Sequence, residues 1–109
     1  MAHEVGHDLG MEHQYSYDGE AIWDVMNNVY LITAPELLGW NRFRLGWLDQ
    51  SGVKCLDKSD VSNTPINVLL TPIESQDSGY KLTLIKINET QVLAVESRRI
   101  LGFDTLDGQ

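Results

Sequence analysis

In His3-Glu4-Val5-Gly6-His7-Asp8-Leu9-Gly10-Met11-Glu12-His13, two histidines stand four residues apart and a third follows a glycine. On an α-helix, positions four apart share one face and lie about 6 Å apart along the axis, so His3 and His7 can aim imidazole nitrogens at one metal ion. Glu4 projects about 100° further round the helix, which sets a carboxylate beside the coordination position a water would fill. Gly10 has no Cβ and is expected to take positive φ, end the helix and let Met11 and Glu12 carry His13 back as a third ligand. Three imidazoles and one remaining position make a catalytic zinc site rather than a closed structural one. Ordinary residue frequencies bring these five positions together by chance in about one window per ten million. The chain has three histidines in all, and all three stand in this stretch. His3, His7 and His13 are therefore assigned as ligands of Zn2+, and Glu4 as the catalytic general base.

That stretch, followed by Trp23-Asp24-Val25-Met26-Asn27-Asn28, resembles the metzincin zinc peptidases. The resemblance implies that Met26 lies in a tight turn beneath the metal as a structural residue and not a ligand, a place that suits an unbranched, polarisable thioether. Some metzincins carry a tyrosine two residues further on; here that position is Asn28, so no such tyrosine is carried over and Tyr30 has no assigned role. Leu38-Gly39-Trp40-Asn41-Arg42-Phe43-Arg44-Leu45-Gly46-Trp47-Leu48, and later Val95-Glu96-Ser97-Arg98-Arg99 with Gly102-Phe103-Asp104, look like the immune inhibitor A and gametolysin-like group. The implied fold is α+β. Residues 1–50 would form the C-terminal part of a metzincin-like catalytic domain, with active-site helix, methionine turn and following helix, and residues 51–109 a β-rich segment. The implied function is that of a secreted, zinc-dependent endopeptidase acting on protein or peptide substrates. The alternative is a non-catalytic zinc-binding or adhesion module of a secreted protein, against which the intact Glu4 argues; a further rival makes the β-rich segment an independent binding domain.

A chain of 109 residues can form one domain with a modest core. The zinc helix nevertheless begins at the first residues, where Met1 and Ala2 supply neither cap nor helical lead-in. The expectation is an internal piece of a longer peptidase, whose N-terminal part in the same polypeptide supplies the substrate-holding sheet. The chain by itself is then expected to be inactive.

Residues 14–22, rich in Tyr, Ser, Asp and Gly, read as a loop. Thr33 and Glu36 form a capping-box pattern with Pro35 near the first helical position, and Leu37, Leu38, Trp40, Phe43, Arg44 and Leu45 predict an apolar-rich helix ending near Gly46, packed behind the zinc site. Beyond it, β-branched residues and alternation predict strands over 53–56, 66–73, 80–87 and 91–98. Turns are expected at Gln76-Asp77-Ser78-Gly79 and Asn88-Glu89-Thr90, and a polar linker over 57–65. Glu96, Arg98 and Arg99 read as an ion-paired, energetically minor strand face, with part of a substrate cleft as the alternative, and Cys55, in Val-Lys-Cys-Leu, as a buried, inert thiol. Asn88-Glu89-Thr90 is also a formal glycosylation sequon. A net charge of -8 argues against nucleic-acid or anionic-membrane partners, and Asn41, Arg42 and Arg44 interrupt the second helix, which is too short to span a bilayer.

Overall fold

Glycine decides where the first two helices stop. In the computed structural model, which describes residues 2–13, 24–26 and 37–100, helix α1 spans Ala2–Asp8 and helix α2 spans Gly39–Arg44. Gly10 takes φ 84° and Gly46 φ 72°, the left-handed conformation that a side chain disfavours. After α1, the Gly10 N–H donates to the His7 carbonyl at 2.9 Å and the Met11 N–H to Gly6 at 3.0 Å. After α2, Gly46 donates to Phe43 at 3.0 Å and Trp47 to Arg42 at 2.8 Å. Both pairs have the Schellman pattern, in which a left-handed residue returns two N–H groups to carbonyls the helix leaves open.

The described residues form a small α+β fold: three α-helices and a three-stranded mixed sheet. Strand β1 (Val53–Asp57) runs into helix α3 (Lys58–Ser62); β2 (Leu82–Lys86) and β3 (Val92–Glu96) follow. The order is β1-β2-β3, with β1 parallel to β2 and β2 antiparallel to β3. The register sets Val53 and Glu96 on either side of Leu82, and Cys55 and Ala94 on either side of Leu84. Residues in register share a face, so Leu82 and Leu84 form the centre of one apolar surface. Helix α2 covers its Leu82 end, where a Cβ on Gly39 would stand 3.3 Å from Leu82 Cδ1 and 3.4 Å from Ile73 Cδ1. Ile73, Leu82 and Leu84 are buried there, and Met11 and Met26 are buried by α1.

Charge ties α2 to the sheet. Leu38, the residue before α2, has no side chain that can cap a helix; instead the Gly39 N–H donates to Glu96 Oε2 on β3. Arg98 closes the link, its Nε donating to Glu96 Oε1 at 2.7 Å and its Nη2 to the Leu37 carbonyl at 2.8 Å. Glu96 and Arg98 thus form the expected ion pair, more deeply covered than a surface pair, while the Arg99 N–H reaches Glu74.

Several expectations are corrected. The segment 66–73 is no strand: it makes isolated bridges at Leu70 and Pro72, and Leu69 is 85% exposed. Pro65 precedes it and Pro72 lies within it, and proline cannot donate to a ladder. The linker expected over 57–65 contains α3, whose start is marked by the Asp57 N–H donating to Asp60 Oδ2 at 2.8 Å. Helix α2 starts later than expected, leaving Leu37 and Leu38 outside it, and its buried side chain is Asn41, with Phe43 and Trp47 exposed. Cys55 is exposed and not buried, on β1 at the edge of the sheet, where it lines an open cleft with Trp40 and Phe43 of α2. The readings of 14–22, Trp23, Asn27, Asn28, Tyr30, Thr33, Pro35, Glu36 and 102–109 lie outside the described residues. No helix among the described residues is long and apolar enough to cross a membrane.

Candidate metal centre

His3 and His7 stand one helical turn apart on α1, and the Gly10 turn brings His13 to them. The three Nε2 atoms form a triangle with sides of 3.1 Å, 3.1 Å and 3.1 Å. The His7 ring lies nearly perpendicular to those of His3 and His13, and all three rings are half-buried. Among the described residues, these are the three side chains of a metal-ligating kind that gather at one point.

Hydrogen bonds on the far side of two rings fix what the triangle offers. His3 Nδ1 lies 2.8 Å from the Val25 carbonyl, and His7 Nδ1 lies 2.8 Å from the Met11 carbonyl. A carbonyl only accepts, so each Nδ1 carries a proton, and in the neutral ring each Nε2 presents a lone pair. Between His3 and His7 the 3.1 Å contact therefore has no proton to share. A cation converts that repulsion into attraction, and a neutral imidazole held by a carbonyl on its other nitrogen is the usual state of a metal-binding histidine. The spacing fits zinc: nitrogens 3.1 Å apart are close enough for all three to hold one ion at the usual Zn–N distance of about 2.0–2.1 Å.

The turn containing Asp24, Val25 and Met26 supports α1 from below. Met26 is fully buried, and a Cβ on Gly6 would collide with its sulfur. The sulfur thus fills the space that a missing side chain leaves between the turns bearing His3 and His7. Val25 supplies the carbonyl that orients His3. Asp24, itself buried, holds the turn: its Oδ1 accepts from the Met26 N–H at 2.6 Å, and its Oδ2 accepts from the Leu38 N–H at 2.8 Å and from Asn41 Nδ2 at 3.0 Å.

Glu4 is exposed on α1, one position beyond His3 and outside the triangle of nitrogens. Sequence reasoning named the three histidines, Glu4 and Met26 but gave no role to Asp24, Asn41 or Gly6. One signal was available for Asn41, a short polar side chain inside an apolar helical row. Gly6 carried none, because the Met26 sulfur that fills its space is distant in the chain, and for Asp24 only the bond to the Met26 N–H is local while those to Leu38 and Asn41 are not. No protein-family model, curated protein or solved structure matches this chain.

Proposed function

We propose that the chain carries the zinc centre of a metzincin-like endopeptidase, with His3, His7 and His13 as the ligands and Glu4 as the general base. One observation carries the reading: three Nε2 atoms converge at 3.1 Å while backbone carbonyls hold the protons of His3 and His7 on their other nitrogens. Bound there, zinc supplies Lewis acidity, lowering the pKa of a water and polarising the scissile carbonyl of a peptide substrate. The remaining work belongs to side chains. The histidines stay neutral and oriented, so that the fourth direction is left to water and substrate. Glu4, solvent-exposed beside His3, accepts the proton of the attacking water and returns it to the leaving amine nitrogen. Met26 supports the ligand helix and takes no part in the chemistry. The resemblance to metzincins also supports secretion and a protein substrate held by a sheet wall elsewhere in the same polypeptide.

The test separates binding from catalysis in the natural protein. Glu4→Gln is expected to keep zinc and lose about a hundredfold or more in peptide turnover, since the amide keeps the size but cannot take the proton. His13→Ala is expected to lose both zinc affinity and turnover, and Glu12→Ala neither. Zinc content by metal analysis and cleavage of a fluorogenic peptide read the two quantities. Turnover by Glu4→Gln above about a tenth of wild type would remove the general-base role. Bound zinc without turnover in the wild type would favour the non-catalytic zinc-binding module.

A further inference from the structure

Asp24 is one of the most deeply buried side chains in the described chain, and it is a carboxylate. It receives the Met26 N–H at 2.6 Å, the Leu38 N–H at 2.8 Å and Asn41 Nδ2 at 3.0 Å. Its main polar side-chain partner, Asn41, is 1% exposed, and the other side-chain atom of Asn41, Oδ1, has no partner among the described residues. Burying an amide with half of its hydrogen-bonding capacity unmet costs stability, so packing alone does not account for asparagine on this helix. What the amide does achieve is to hold Asp24. Asp24 in turn fixes the turn whose next residue, Val25, presents its carbonyl to His3 Nδ1 at 2.8 Å.

The chain of contacts is therefore α2, Asn41, Asp24, the Val25 carbonyl and the His3 ring. His7 is held differently, by the carbonyl of Met11 on its own helix terminus. We propose that Asp24 and Asn41 form a positioning clamp for the metal centre: by fixing the turn at 24–26 they hold the Val25 carbonyl against His3, which keeps the His3 Nε2 lone pair directed at the ion. The clamp rests on the zinc-centre reading for its purpose, but its first effect is the tautomer of His3, which exists without any metal. Asp24→Asn should break it. The amide keeps the shape but turns an NH2 group towards at least one N–H donor that the carboxylate now accepts.

The experiment has a metal-free and a metal-bound reading. Long-range 1H–15N correlation of the imidazoles, on the 109-residue chain without metal at alkaline pH, reports the tautomer of each histidine. In wild type, His3 and His7 are both expected as the Nδ1–H form. In Asp24→Asn, His3 should move towards the Nε2–H form while His7 does not, which makes His7 an internal control for general loosening. Titration with Co2+ against a chelator should then show about tenfold weaker binding and an altered visible spectrum, in line with the loss of an outer-shell partner. Asn41→Ala should produce a smaller shift in the same direction, and it carries the test if Asp24→Asn does not fold.

Three results would overturn the clamp: an Nε2–H tautomer at His3 in wild type, an unchanged His3 in a folded Asp24→Asn variant, or equal loosening of His3 and His7. If the wild-type chain bound neither Co2+ nor Zn2+, the metal-centre reading would fall together with the proposed purpose of the clamp. The tautomer measurement would still decide whether Asp24 orients His3.

Discussion

Gly6 within α1 and Gly10 in the turn after it perform opposite tasks, and each makes a separate prediction. Gly10 supplies a backbone conformation: at φ 84° and with open space around a would-be Cβ, Gly10→Ala meets no neighbour and should lose about 1–2 kcal/mol through strain alone. Gly6 supplies space, since a Cβ there strikes the Met26 sulfur, and Gly6→Ala should cost about 1–3 kcal/mol through overpacking. Urea unfolding with a second substitution, Met26→Ala, tells them apart. Removing the sulfur should relieve much of the Gly6→Ala penalty and none of the Gly10→Ala penalty; simple additivity in both pairs would refute the packing account of Gly6. The conformational role was readable beforehand because a chain that must end a helix and turn back to bring His13 round needs a positive φ. The packing role was not, because the atom that forbids a side chain at Gly6 belongs to Met26; the Asp24–Asn41 contact likewise joins residues 17 apart in the chain, although a polar residue in an apolar helical row was a signal for Asn41. Local spacing fixes what a helix can offer; which neighbour accepts it is a fact about distant parts of the chain.

Elements followed the same division. Strands β2 and β3 fall inside their expected segments and β1 runs one residue past its own, to Asp57, since alternation and β-branching are local signals, whereas α3 was read as a linker although Asp57 and Asp60 have the spacing of a helix start. The failure at 66–73 was one of weighting: β-branching and alternation favoured a strand, but Pro72 lies within the segment and cannot donate to a ladder. Between that segment and β2, Lys81 organises the bend, its Nζ donating to Ser75 Oγ at 2.6 Å, Thr71 Oγ1 at 2.9 Å, Asp77 Oδ1 at 3.0 Å and the Pro72 carbonyl at 3.1 Å. The Ser75 hydroxyl, then the Lys81 ammonium, the Thr71 hydroxyl and the Gly79 N–H hold the Asp77 carboxyl well below the usual carboxylate range. A lowered folded pKa means that the Asp77 contribution is fully present above the unfolded value of about 3.9 and fades as pH falls towards the folded one. Wild type should therefore exceed Asp77→Asn in stability at pH 6, with the gap closing below about pH 4; a gap independent of pH would mean that Asp77 acts by shape and not by charge. The outer strand β3 makes a different prediction. Val92, Leu93 and Val95 are exposed, no described strand pairs beyond it, and it carries no lysine or proline. Such an edge recruits other strands, so Ala94→Lys should reduce light scattering on concentration with little change in unfolding midpoint.

The link that makes one molecule of the helical first half and the sheet lies at the start of α2. Glu96 receives the Gly39 N–H and the Arg98 guanidinium, and Arg98 also holds the Leu37 carbonyl. From the same short helix Asn41 reaches Asp24, whose turn supports α1 and His3. A run of hydrogen bonds through α2 and the turn at 24–26 thus joins β3 to His3, across the boundary near residue 50 at which composition changes from helical to strand-like. Sequence reading recognised the Glu96–Arg98 pair and treated it as a minor surface contact. Its energetic weight comes from burial, with side chains only 16% and 10% exposed, and from closing a helix start that Leu38 cannot cap. Removing Glu96 leaves the Gly39 N–H without its acceptor and takes the carboxylate from beside Arg98, so Glu96→Ala should destabilise the chain by about 2–4 kcal/mol. Glu96→Gln, which keeps one acceptor oxygen but loses the charge, should fall between it and wild type. Urea unfolding followed by near-ultraviolet circular dichroism gives the magnitude, and the imidazole spectra of His3 and His7 recorded along the same titration give the coupling. If the sheet is joined to the histidine cluster as the hydrogen bonds imply, both signals shift to lower urea together in Glu96→Ala; a shifted dichroism midpoint with unmoved histidine signals would show that the two halves unfold independently and that the tie at Gly39 is local.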